Sequence, residues 1–327
     1  MRFATLDDGS LDGRPVLVDR HHGRCVDIRP RADHLLQVLQ RWDSLYGELQ
    51  ALQRQLDAGQ AAQAFDFDPR LARAPLPRAP QWLDASAFLN HGRLMEQAFG
   101  TEPIPLFDTV PVMYQGASDD FLGPCQDVQL PDLAHGIDFE GEFGVITGEV
   151  PMGTPPEVAL DHVRLLVQIN DWSLRALGPH EMATGFGFLQ AKPSTAFAPL
   201  ALTPDELGDH WQDGRVHLNL AVQWNGERFG EPHGREMHFD FGRLIAHAAR
   251  TRRLSAGSVV GSGTVSNVAR SAGSACIAER RVIEKIDGGA IRTGFMRDGD
   301  RVRMEARAEG DGGRGPFGVI EQRVRVG

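Results

Sequence analysis

The chain has 327 residues, with 34 Lys and Arg against 44 Asp and Glu, a formal net charge of −10. This length supports one large or two modest domains, and the charge argues against nucleic acid and anionic membrane surfaces as partners. An apolar fraction of 41% excludes global disorder, and 37 glycines with 20 prolines call for many turns and a β-rich body rather than a helical bundle.

No stretch approaches the roughly 18 apolar residues that cross a bilayer. Asp7 and Asp8 stand where a signal peptide has its apolar region. Cys25, Cys125 and Cys276 are far apart and form no CxxC pair, the pattern of reduced structural thiols. A cytoplasmic protein is therefore expected.

Residues 1–30 read as short strands, with Asp8-Gly9 and Asp12-Gly13 as turn dipeptides and Val16, Val18 and Val26 at strand positions. Leu35, Val38, Trp42, Leu45, Leu49, Leu52 and Leu56 then step by alternating threes and fours. That seam suits either a coiled-coil dimer contact or an amphipathic helix lying on its own domain, bent near Gly47. Its shortness, roughly three heptads, favours the second reading. Pro69, Pro75, Pro77 and Pro80 mark residues 65–80 as a stiff linker, which places a small N-terminal domain at 1–75 and a larger one at 76–327. In the larger domain, strands are expected at 142–147, 163–169, 216–224, 258–266, 276–286, 301–308 and 317–326, and a helix at 240–252. The Pro/Gly-rich stretches 100–125 and 178–195 have the composition of lids.

Asp138-Phe139-Glu140-Gly141-Glu142-Phe143-Gly144-Val145 carries the strongest chemical signal. On a strand, alternation places Asp138, Glu140 and Glu142 on one side and Phe139, Phe143 and Val145 on the other. Carboxylates on one face of a half-buried strand repel each other and need a cation. A hard divalent ion supplies it, and a solvent-facing edge balanced by Arg or Lys is the alternative. The apolar run Val163–Ile169 delivers Asn170-Asp171-Trp172-Ser173-Leu174-Arg175, where Asp171 is either a ligand or a turn former. His91, seven residues after Asp84, is the type of side chain that titrates near neutrality, though any one of 12 histidines can be structural. Gly261-Ser262-Gly263-Thr264-Val265-Ser266 could bind an anion through backbone N–H groups but lacks the lysine of a phosphate-binding loop.

Taken in order, Asp84…His91, Glu140-Gly141-Glu142, Asn170-Asp171-Trp172-Ser173-Leu174-Arg175, Lys192, Gly261–Ser266 and Gly310-Asp311-Gly312…Phe317-Gly318 resemble the fumarylacetoacetate hydrolase (fumarylacetoacetase) family. The likeness covers residues 80–322, and residues 1–75 resemble the small N-terminal domain of bacterial members. The resemblance implies a β-rich α+β fold, with a mixed β-roll catalytic domain, a small N-terminal α/β domain and a homodimer. It implies Mg²⁺ or Ca²⁺, with Mn²⁺ as a further candidate, held by Asp84, Glu140, Glu142 and Asp171. It makes His91 the general base, oriented by Glu279, and gives Arg175 and Lys192 the developing negative charge. Tyr114, Thr264 and Arg175 would contact substrate. Asp138 matches no ligand of the family.

Three departures bear on the substrate pocket. The family's substrate-contacting Gln falls on Gly178, a Tyr two positions after the first ligand is Ser86, and alignment of Glu279 needs a one-residue gap after Thr264. The implied reaction is hydrolysis of the C–C bond of a 1,3-diketo acid, fumarylacetoacetate to fumarate and acetoacetate in tyrosine and phenylalanine breakdown. Acylpyruvate hydrolysis and oxaloacetate decarboxylation are the sister activities that the same residues permit.

Overall fold

A computed structural model describes residues 1–99, 103–308, 310 and 313–327. Part of the 100–125 stretch, and Asp311 and Gly312 of the late glycine motif, lie outside these residues. The N-terminal segment forms the strands Arg2–Leu6, Arg14–Val18 and Arg24–Asp27. The first turn needs glycine: Gly13 has φ +64°, and a Cβ there would meet the Leu6 carbonyl oxygen at 2.8 Å.

The leucine seam folds as two helices, Leu35–Gln40 and Trp42–Asp57. The break falls at Arg41, whose φ of −113° leaves the helical region, and not near Gly47, which is helical. Leu35, Val38, Leu45, Leu49 and Leu56 join one buried cluster with Phe3, Leu17, Val26 and Ile28, and also with Leu165, Ile169 and Val259 of the larger region, so the seam packs within the chain. Residues 65–80 are not a loose linker. Phe65–Asp66 pairs with Arg24–Cys25, the Arg73 N–H donates to the Thr5 carbonyl at 2.9 Å, and Ala72, Ala74 and Leu76 are buried. The prolines stiffen a strap whose small apolar side chains still find a core.

The main sheet runs in the order Phe65–Asp66, Arg24–Asp27, Arg14–Val18, Arg2–Leu6, Ala201–Leu202, Val163–Asn170, Gly141–Thr147, Val259–Gly261, Trp82–Ala85 and Met113–Gly116. Pairing of Phe3 with Ala201 carries it from the N-terminal segment into the rest of the chain. Val259–Gly261 and Trp82–Ala85 are parallel, while their outer neighbours are antiparallel. A second sheet contains Glu227–Gly230, Asn219–Trp224, Arg301–Arg307, Ile320–Val326 and Val128–Leu130. The architecture is a mixed, sheet-rich α+β fold. No described helix is long and apolar enough to cross a membrane.

Three expected strands differ. The 216–224 stretch splits into Arg215–Val216 and Asn219–Trp224, and 258–266 is a strand only over Val259–Gly261. The 276–286 stretch is the helix Ile277–Gly288. Its apolar residues Val282, Ile283 and Ile286 suit a helical face that packs with Leu94 and Met95, and Ala278-Glu279-Arg280-Arg281 are helix formers. The strand through the acidic motif is also interrupted. Ile137–Asp138 pairs with Ser173–Leu174, Glu140 bridges to Cys276, and only Gly141–Thr147 joins the main sheet, buried throughout.

Candidate active site

The sheet centre converges on a group of buried carboxylates. Asp84 comes from Trp82–Ala85, Glu142 from the neighbouring strand but one, and Asp171 from the end of Val163–Asn170. Oxygens of Asp84, Glu142 and Asp171 lie within 4.8 Å of one another. Each residue is at most 4% exposed. Close packing is built into the backbone, since a Cβ on Gly261 would sit 2.4 Å from Asp84 Oδ1. The Gly263 N–H donates to that oxygen at 3.0 Å.

Among the described residues neither buried oxygen of Glu142 has a hydrogen-bond partner. Burial, followed by repulsion from Asp84 and Asp171, pushes its carboxyl well above the usual range. Burial and the same neighbourhood push Asp84 up to about 8. A buried anion without a partner is costly, so this trio fits a cation. An all-oxygen donor set fits a hard divalent ion such as Mg²⁺, Ca²⁺ or Mn²⁺.

Glu140 takes a different place. Its Oε1 accepts from Arg175 and its Oε2 from Lys192, and its oxygens fall outside the Asp84, Glu142 and Asp171 trio. Burial works against its charge, yet Arg175 and Lys192 hold the carboxyl below its usual range. Lys192 Nζ also donates to Asp171 Oδ2 at 2.6 Å. Although burial opposes the ammonium charge, Asp171 and Glu140 hold it on. Among the described residues two of its three protons are thus engaged, by Glu140 and Asp171. Arg175 Nε donates to Asp138 Oδ2 at 2.8 Å, so Asp138 joins the network as a counter-ion and not in the trio.

His91 sits in the first turn of Leu89–Phe99, and its Nδ1 lies 2.9 Å from Glu279 Oε2. A carboxylate anion only accepts, so opposite one Nδ1 would be the protonated nitrogen and Nε2 the acceptor. The His91 side chain is 16% exposed and that of Glu279 1%, so the base can be reached while its partner is shielded. His91, Glu140 and Cys276 also approach one another within 4.8 Å. The glutamate there is already held by two cations, and burial pushes the Cys276 thiol well up, which disfavours a ligating thiolate.

Tyr114 pairs with Asp84 across adjacent strands and donates its hydroxyl to Asp171 Oδ2 at 2.8 Å. Burial and the carboxylates push its phenol well above the usual range, so it stays a donor. Thr264 is buried in the loop beyond Val259–Gly261, next to Gly263. Two contributors had no separate signal in the sequence. Thr195 donates to Asp171 Oδ1 at 2.7 Å, and the Phe188 ring stands edge-on to Tyr114 with centroids 5.1 Å apart. Both follow Lys192 or precede it by a few residues in a segment whose composition is that of a loop.

Two family descriptions match the chain: "Fumarylacetoacetate (FAA) hydrolase C-terminal" over residues 81–325 and "Fumarylacetoacetase N-terminal domain 2" over residues 1–78. A 2,4-didehydro-3-deoxy-L-rhamnonate hydrolase from Sphingomonas sp. (strain SKA58) is 33% identical over 165 residues, 50% of this chain and 54% of that protein. The chain therefore spans little more than half the length of that relative. Among solved structures, fumarylacetoacetate hydrolase from Exiguobacterium antarcticum aligns over 100% of both chains at 19% identity and a TM-score of 0.64. Maleylpyruvate hydrolase from Sphingobium sp. SYK-6, in complex with manganese(II) ion and pyruvate, aligns over 100% of both chains at 17% identity, also with a TM-score of 0.64. At these identities the two structures speak for the fold.

Proposed function

The chain belongs to the fumarylacetoacetate hydrolase family, and from that premise we propose that it is a divalent-cation-dependent hydrolase of the C–C bond in a 1,3-diketo acid. The observation that carries this reading is the orphaned Glu142 between Asp84 and Asp171, set beside a His91–Glu279 pair. Asp84, Glu142 and Asp171 would hold the cation, with Glu140 close by on the far side of Lys192. Such an ion would supply Lewis-acid polarisation of the substrate's oxygens.

The protein's own groups supply the rest. His91 Nε2 accepts a proton from water while Glu279 holds the ring and favours its charged form. The resulting hydroxide attacks the carbonyl beside the bond to be broken. The third proton of Lys192 would meet the developing oxyanion, and its two carboxylate partners fix the ammonium in advance. The scissile bond then breaks to give an enolate, and the proton held on His91 returns to that carbon. Arg175 is anchored by Asp138 and Glu140, so its remaining N–H groups form a fixed donor for a substrate carboxylate.

Fumarylacetoacetate is the first substrate to test. Acylpyruvates form the second reading, favoured by Gly178 and Ser86, which remove two of the family's contacts, and by the maleylpyruvate hydrolase of the same fold. A panel of fumarylacetoacetate, maleylpyruvate and oxaloacetate, run after chelation and again with Mg²⁺, Ca²⁺ or Mn²⁺ restored, tests both. Cation-dependent cleavage of a diketo acid is expected. Turnover of none of them, or turnover unchanged when the ion is shown to be absent, overturns the proposal.

A further inference from the structure

The Ile277–Gly288 helix begins against the charged centre, and its first backbone N–H groups do not end in solvent. The Ile277 N–H donates to Asp138 Oδ1 at 2.7 Å and the Ala278 N–H to Asp138 Oδ2 at 2.8 Å. The helix's own cap is weak by comparison, because Cys276 offers only a thiol sulfur, 3.3 Å from the Glu279 N–H. A fully buried carboxylate from another strand thus does the work of an N-cap, where the helix dipole favours a negative charge. Three residues into this helix stands Glu279, and its carboxylate meets His91. The same Asp138 Oδ2 accepts from Arg175 Nε, and Arg175 continues to Glu140 and, through Lys192, to Asp171.

We propose that Asp138 is a positioning residue: its carboxylate clamps the start of the Ile277–Gly288 helix so that Glu279 meets His91, and it aims Arg175 at Glu140. Asp138 does not touch the carboxylate trio and acts only through the groups it holds. The inference rests on the reading of His91 as the base. It explains why a third acid precedes the Glu140-Gly141-Glu142 pair and why that acid is buried away from the cation trio.

The test is Asp138→Asn in the full chain, which keeps the side chain's shape but offers a single acceptor oxygen and places an NH₂ against N–H donors. The nitrogen-15 resonances of the His91 ring are the first readout, with Glu279→Gln setting the position of a ring without its carboxylate. In Asp138→Asn the His91 signals move toward the Glu279→Gln position, while Mn²⁺ binding, measured with the metal alone, stays within about 3-fold. On whichever diketo acid the wild type cleaves, kcat falls by about 30-fold or more with KM within about 3-fold. The Asp138→Asn/Glu279→Gln double variant loses less than the product of the two single losses, because both changes disable the Glu279–His91 device. Unmoved His91 signals, or losses that multiply in the double variant, overturn the proposal.

Should Asp138→Asn not fold, Ile277→Pro carries the test. It removes the N–H partner of Asp138 Oδ1 at the first helical position, where proline suits the helix and where Cys276, at φ −145° and ψ 158°, suits a following proline. The same but smaller movement of the His91 signals is expected, and its absence overturns the proposal. If the wild type cleaves no diketo acid, the proposed function falls by itself and the His91 resonances alone decide the role of Asp138.

Discussion

Glu140 and Glu142 stand two residues apart and both are buried, yet the protein treats them in opposite ways. Glu140 is clasped by Arg175 and Lys192, and its carboxyl is held below the usual range despite burial. Among the described residues Glu142 has no donor on either oxygen, and burial beside Asp84 and Asp171 pushes its carboxyl well above that range. For one acid the chain encodes its own countercharge. For the other it builds a cage whose missing countercharge a divalent ion would supply.

The widest gap opens when each acid is neutralised in turn and the variants are melted in chelator. Glu140→Gln takes one of two carboxylate partners from each of Arg175 and Lys192, which keep Asp138 and Asp171, and is expected to cost about 3 kcal/mol. Glu142→Gln removes a like charge from the trio, so the cation-free protein holds or gains stability while Mn²⁺ binding and activity disappear together. Equal destabilisation by the two changes in urea melts would erase the distinction between the halves of the site.

His91→Ala probes the chemistry from beside Glu140, outside the Asp84, Glu142 and Asp171 trio. Its kcat on the accepted diketo acid is expected to fall by about 10²–10⁴-fold, the usual range for loss of a general base. Mn²⁺ titration of the same variant is expected to match the wild type, because the ring lies outside the trio. Full activity in His91→Ala would remove the base assignment.

The sequence made the ligand-bearing part of this site readable, because Asp84, Glu142 and Asp171 lie on or at the end of apolar strands whose side chains have one way to face. Alternation alone does not separate the partners of Asp138 and Glu140 from those of Glu142. Two breaks in the strand let Asp138 turn to a helix start and Glu140 to two cations, and tertiary pairing of this kind leaves no periodic trace. The 276–286 stretch has the Ile and Val content of a strand, while the spacing of Val282, Ile283 and Ile286 and the run Ala278-Glu279-Arg280-Arg281 suit a helix; its cap, Asp138, comes from about 140 residues away and leaves no local trace. The strap at 65–80 shows the same limit. Prolines announce stiffness, but partners distant in sequence, Thr5, the Arg24–Asp27 strand and Phe121 among them, decide that it packs.

The acidity of the unpaired half gives a smaller and continuous handle. The Asp84 carboxyl lies at about 8 in the fold against 3.8 for its ordinary value, so the folded, cation-free chain binds a proton that the unfolded chain has released. Its contribution is fully present below pH 3.8 and is lost as pH rises toward 8, so chelated protein is expected to melt at progressively lower temperature across that window. With saturating Mn²⁺ the decline flattens, since the ion replaces the proton and binds more tightly as pH rises. A chelated protein whose melting temperature climbs between pH 5 and 8 would show that these carboxylates are not held up by burial and mutual repulsion.

The smallest effect expected is at Thr195, and it asks whether Asp171 belongs to both halves at once. Asp171 Oδ2 is engaged by Lys192 and Tyr114, while Oδ1 has the Thr195 hydroxyl, 2.7 Å away and buried with it. Thr195→Val keeps the shape and deletes that donor. Removing a hydrogen bond to a charged group costs about 1.5–3 kcal/mol when the acceptor is left without a partner. In chelated protein the full loss is expected. In Mn²⁺-loaded protein the ion lies against the same carboxylate and supplies the missing positive charge, so the loss shrinks to less than half. Urea melts of wild type and Thr195→Val in both states measure the difference. A loss that is larger with Mn²⁺ than without would mean that Asp171 faces Lys192 alone, and that the trio of carboxylates does not share one ion.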